Sequence, residues 1–68
     1  MIHKQTLEAL RRELLQLPEP YQSVVILRIY GERSFKEIAA QYQKSESWAK
    51  VTFFRGKQLL IERMEGYR

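Results

Sequence analysis

Six side chains in the last third of this 68-residue sequence share a spacing that suits recognition: Ser47, Lys50, Val51, Phe54, Arg55 and Gln58. Steps of three and four residues place them on one side of an α-helix, which turns about 100° per residue. Lysine and arginine can pair with phosphates or with guanine O6 and N7, glutamine can bond adenine, and Val51 or Phe54 can pack on a thymine methyl. A solvated helix with stray apolar residues is common on protein surfaces, but an outward Phe54 beside Val51 favours an interface. Trp48, in the first turn, has two places open to it, over the core of a helical hairpin or against a sugar-phosphate backbone.

Further cations precede this segment. Arg28, Arg33 and Lys36 flank the expected start of a third helix, where free amides and the helix dipole favour an anion. They are candidate phosphate clamps, with ordinary solvated charge an equal alternative. Arg11 and Arg12 are most simply solvated. Catalysis finds no support: there is no carboxylate pair, nucleophile-base arrangement or glycine-rich phosphate loop, and serines such as Ser23 lack a histidine in any visible motif. With no cysteine, and His3 the only histidine, no disulfide, metal or cofactor is expected, and the chain reads as a non-enzyme.

Four helices would position these groups. Leu7, Leu10, Leu14 and Leu17 recur at helical steps among charged residues, the pattern of one apolar stripe over residues 3 to 16. Leu17-Pro18-Glu19-Pro20 stops that helix, because proline fixes its own backbone and disfavours helical geometry in the residue before it. A second helix is expected over residues 19 to 30, with Tyr21, Val24 and Leu27 in the core and Gly31 as a left-handed cap. Ser34-Phe35-Lys36-Glu37 has the form of a capping box, which starts a third helix over residues 34 to 42 with Phe35, Ile38, Ala39 and Tyr42 inward.

Ser45 signals a fourth helix over residues 46 to 64, close to 30 Å long. Ala49, Phe53, Gly56, Leu60 and Met64 fall within about 80° of one another on it and form its core face. The small residues Ala49 and Gly56 should let it approach the third helix closely. The expectation is an all-α, four-helix domain spanning residues 1 to 68, its third and fourth helices making a helix-turn-helix with a long recognition helix.

Composition agrees with a polyanionic partner. The net charge of +4 is uneven, with six Lys/Arg against five Glu in residues 1 to 43 and six against three in residues 44 to 68. No apolar run approaches the roughly 20 residues of a membrane span, and the polar start lacks a signal-peptide core, so the chain reads as soluble and cytoplasmic.

Leu17-Pro18-Glu19-Pro20-Tyr21, Leu27-Arg28, Ser34-Phe35-Lys36-Glu37-Ile38-Ala39, and Ser45-Glu46 followed by Lys50-Val51-Thr52-Phe53-Phe54-Arg55-Gly56-Lys57 together resemble the fourth conserved region of extracytoplasmic-function sigma factors. The resemblance covers about residues 14 to 64 and lies in the ordered set of segments. It implies a four-helix domain that binds double-stranded promoter DNA at the minus-35 element, often GGAAC-like, and docks on the beta-subunit flap of RNA polymerase, with anti-sigma factors as masking partners. It also implies base or groove contacts for Lys50, Val51, Phe54 and Arg55, with Arg28, Phe35 and Lys36 near phosphates. Departures fall in the turn and the first two turns of the reading helix: Gln43-Lys44 stands where Gly-Ile is usual, Ser47 replaces a frequent glycine, Trp48 a usual threonine, and Thr52 a common basic residue.

Two other readings remain. A LuxR-type output domain has a similar layout and usually binds as a dimer, whereas a monomer is expected here. A helical protein-interaction module for polymerase or an anti-sigma factor is the other, using Val51, Phe54 and Ile61 on one side of the last helix.

Overall fold

A computed structural model describes residues 4–65, with side chains from residue 8 onward. Four helices follow in order, α1 (Lys4–Leu15), α2 (Tyr21–Ile29), α3 (Phe35–Tyr42) and α4 (Glu46–Met64), and no strand occurs among the described residues. The expectations for His3 and the Leu7 side chain lie outside the described residues.

Helix α1 buries Ala9 and Leu14, and Leu17 is buried just past its end. Its last carbonyls have no partner within the helix, and a residue of the next helix supplies one: the Gln22 side-chain amide donates to the Leu15 carbonyl at 2.6 Å and the Leu14 carbonyl at 3.4 Å. This cap ties α1 to α2 through a residue eight positions away from Leu14. At the far end of the chain, Arg63 in the last turn of α4 donates to the partly buried Glu13 carboxylate at 3.2 Å, clasping α1 to α4.

Helix α2 begins at Tyr21, two residues later than residue 19, with Pro20 (φ −86°, ψ 1°) as its cap residue and outside helical geometry. Its core pair is Val24 and Val25, both fully buried, with Tyr21 and Leu27 only partly so. Gly31 does not take the expected left-handed conformation; Glu32 does, with φ 52°. The reason lies in the backbone bonds: the Tyr30 and Gly31 amides both donate to the Ile26 carbonyl and the Arg33 amide donates to that of Leu27, which defers the reversal by one residue. Gly31 serves close approach instead, since a Cβ there would stand 2.9 Å from the Leu27 carbonyl oxygen.

Helix α3 has the expected capping box. The Glu37 amide donates to Ser34 Oγ at 3.1 Å while the Ser34 amide donates to the Glu37 carboxylate at 3.0 Å. It ends where Gln43 turns left-handed, φ 56°, and the Lys44 amide returns to the Ala39 carbonyl at 2.9 Å. Such a cap usually has glycine. Ser45 then caps α4, its Oγ accepting from the Trp48 amide at 3.1 Å.

Nineteen residues make α4 the longest helix, and it packs against the other three. Two apolar clusters lie along it. Leu14, Leu17, Val25 and Leu60 form one, with Leu10 and Met64 at its edge; Val24, Ile38, Ala39 and Ala49 form the other, with Phe35, Tyr42 and Trp48 around it. Ala49 does meet α3, but the close approach at Gly56 is to α2: a Cβ there would lie 2.7 Å from Val25 Cγ2 and 3.2 Å from Tyr21 Cβ. Thr52, outside the core face expected from the sequence and noted there only as standing where a basic residue is common, is also buried on this face.

Candidate nucleic-acid interface

With Ala49, Thr52, Gly56 and Leu60 turned inward, the opposite side of the helix faces water. Ser47, Lys50, Val51, Phe54, Arg55 and Gln58 are all exposed. From Ser47 to Gln58 the helix carries Lys50, Arg55 and Lys57 and no acid; its carboxylates, Glu46 and Glu62, stand near the two ends. Among the described residues, neither Lys50 nor Arg55 has an acidic group within ion-pair distance. A stretch of helix with uncompensated positive charge and an apolar centre is thereby presented to solvent.

Aromatic rings fix the middle of this face. Phe54 meets Phe53 edge-on at 5.4 Å and Phe35 at 6.4 Å, and Phe35 meets Phe53 at 5.7 Å. Ring pairs at such separations attract beyond simple area burial. Phe35, half-buried, therefore braces α3 against α4, and its ring also carries the Arg28 guanidinium 4.5 Å from its centroid. Arg28 is further held by donating to the Arg33 carbonyl at 3.1 Å. The sequence gives no signal for this brace, since residues 28, 35 and 54 follow no common period. Trp48 is half-buried against Tyr42, 5.2 Å away, over the α3–α4 hairpin.

The start of α3 differs from a vacant anion site. Glu37 already places its carboxylate there, accepting from the Ser34 amide and lying 3.6 Å from the Arg33 guanidinium. Its pKa is lowered, by the Ser34 backbone bond first and the Ser34 side-chain bond next; desolvation opposes them, and the Arg33 charge and hydrogen bond lower it further. Arg33 is thus partly compensated, whereas Lys36 is exposed with no acid at ion-pair distance among the described residues.

Lys57 belongs to another flank. Together with Leu10, Ile29, Leu60, Ile61 and Met64 it lines an apolar recess of about 420 Å³ between the ends of α1, α2 and α4. Ile61 sits at the edge of that recess, whereas Val51 and Phe54 do not line it; all three are exposed on α4. Among the described residues, no group of His, Asp and Glu side chains could hold a metal ion, and no helix is long and apolar enough to cross a membrane.

Helix α3, its left-handed turn and the long α4 with its exposed cationic face constitute a helix-turn-helix. Residues 7–60 match the family described as sigma-70, region 4, and the chain belongs to that family. This sets aside the LuxR-type reading. Over 57 residues, 84% of this chain, it is 42% identical to RNA polymerase sigma factor YlaC of Bacillus subtilis (strain 168). The chain spans 33% of that relative's length. No solved structure matches it.

Proposed function

We propose that α4 enters the major groove of a promoter minus-35 element and that the domain holds RNA polymerase there for transcription initiation, performing no chemistry itself. The observation that carries this reading is the acid-free outward face from Ser47 to Gln58, on a helix long enough to lie along a groove. Arg55 and Lys50 supply the main base or phosphate contacts, with Ser47 and Gln58 bonding polar groups at either end. Arg28 and Lys36 meet the phosphate backbone, Arg28 from the fixed position that Phe35 and the Arg33 carbonyl give it. Phe35 and Trp48 act mainly by bracing the hairpin, and Arg33 contributes less because Glu37 faces it.

The apolar recess between α1, α2 and α4 lies off this face, which supports docking on the polymerase beta flap while DNA is bound. An anti-sigma factor is the expected inhibitor, the domain acts as a monomer, and its work lies in the cytoplasm as part of an extracytoplasmic-function sigma factor. The test is Arg55→Ala with titration of matched and scrambled minus-35 duplexes. Discrimination should fall by about 1 to 3 kcal/mol if Arg55 reads a base; an unchanged ratio between the two duplexes would refute base reading.

A further inference from the structure

The centre of the outward face of α4 is apolar. Val51 is 49% exposed and Phe54 56%, and residues three apart are neighbours on a helix surface. Single exposed hydrophobes are ordinary, but this pair is bordered by Lys50 before it and Arg55 after it, each exposed and without an acid at ion-pair distance among the described residues. A protein partner covering the pair would have to desolvate both charges, which is costly unless each is paired. A polyanion meets the charges at its own phosphates and leaves the centre to what the groove displays.

In the major groove the apolar group that distinguishes one base pair from another is the C5-methyl of thymine; the remaining base edges are donors and acceptors. We infer that Val51 and Phe54 form a rigid apolar contact for that methyl group, so that the protein requires thymine, and not merely an A·T-type hydrogen-bond pattern, at the base pairs facing them. This deepens the promoter-binding reading and rests on it. Both side chains suit the task because neither has to be ordered on binding. Valine in a helix keeps essentially one rotamer, and the Phe54 ring is braced by Phe53 at 5.4 Å and Phe35 at 6.4 Å. Contacts made by groups already fixed lose little to ordering.

The experiment removes one methyl group at a time. The tightest duplex is selected from a random library with the purified chain, and each thymine is replaced in turn by deoxyuridine, which keeps the hydrogen-bonding edge and lacks only the methyl. Binding is followed by fluorescence anisotropy at fixed salt, with a scrambled duplex as control. We expect one or two positions at which deoxyuridine weakens binding about fourfold, the factor for one buried methyl group, and elsewhere little change. Val51→Ser, which removes both methyl groups at an exposed position, should shrink that loss to less than about twofold at one of these positions. Phe54→Ser, checked for retained helicity by circular dichroism, should do so at the other if two are found. Sequence-specific, salt-dependent binding that is indifferent to every deoxyuridine replacement would overturn the inference and leave the promoter reading intact. A deoxyuridine loss that persists unchanged in both variants would also overturn it. Failure to prefer the selected duplex over the scrambled one would remove both.

Discussion

Gly56→Ala isolates the fit between α4 and α2. On helix propensity alone the change should stabilise by about 1 kcal/mol, because glycine in a helix interior is the poorer residue by that amount. Space opposes it. The added Cβ would stand 2.7 Å from Val25 Cγ2, 3.2 Å from Tyr21 Cβ and 3.4 Å from the Tyr21 carbonyl oxygen, where carbon pairs prefer about 3.5 to 4.0 Å. None of these atoms can give way cheaply: Val25 is fully buried and stiff at χ1, and the Tyr21 atoms move only with the α2 backbone. Overpacking of this kind costs about 1 to 3 kcal/mol, and three close neighbours on an immobile helix put it toward the upper end. The net expectation is a loss of about 1 to 2 kcal/mol, or roughly 4 to 8 °C in Tm for each kcal/mol in a domain of this size. Urea and thermal unfolding followed by circular dichroism measure it. In a Val25→Ala background the obstructing methyl is gone, and the same alanine should become neutral or stabilising, a coupling of about 1 to 3 kcal/mol between the two sites. Were Gly56→Ala to raise stability in the unaltered chain, the argument that this glycine exists for close approach would be wrong.

Two further outcomes follow from the turns. Gln43 holds φ 56°, a conformation that costs a residue with a Cβ about 1 to 2 kcal/mol; part of that is offset by glycine's greater freedom when unfolded, so Gln43→Gly should stabilise by about 0.5 to 1 kcal/mol in the same unfolding assay. A destabilised variant would mean that the glutamine side chain makes a contribution the backbone does not reveal. Glu37 has a lowered pKa in the folded state, so its charged contacts contribute stability above the ordinary glutamate value of about 4.3 and lose it as pH falls through the lower folded value. Glu37→Gln, which keeps the capping reach, should therefore show the larger deficit near neutrality and converge on the parent protein in acid; parallel stability curves from neutral to acid pH would contradict this.

Much of the architecture is legible in the residues because it rests on local rules. The Ser34 to Glu37 capping box and the Ser45 cap are satisfied within a few residues, and the 3.6-residue period separates the inward and outward sides of α4. Helix α2 resists the same treatment: a single-stripe pattern selects Val24, yet Val25 is equally buried because one valine serves each cluster. Tyr21 and Leu27 are correspondingly less covered. Gly31 and Gly56 illustrate a second limit. Both are needed where atoms come close; at Gly31 the neighbour is the local Leu27 backbone, but at Gly56 it is a tertiary fact, and the composition of α4 pointed to α3 when the neighbour is α2. At the candidate interface the exposed character of Lys50, Val51, Phe54 and Arg55 follows from the period. The Arg28–Phe35–Phe54 brace does not, nor does the occupation of the α3 terminus by Glu37.

The division of labour between two adjacent valines has a consequence for how this fold can diversify. Val24 looks into the chamber that supports the hairpin, Val25 into the one shared with α1 and the tail of α4, so α2 acts as a partition bridged by Phe53 of α4, which packs against both. Substitutions among Leu14, Leu17 and Leu60 that leave the seat of Phe53 intact can remodel the α1 side, and with it the surface offered to other proteins, while the geometry that aims residues 47 to 58 is preserved on the far side of the wall. Docking and reading can in this way drift at separate rates within one short chain.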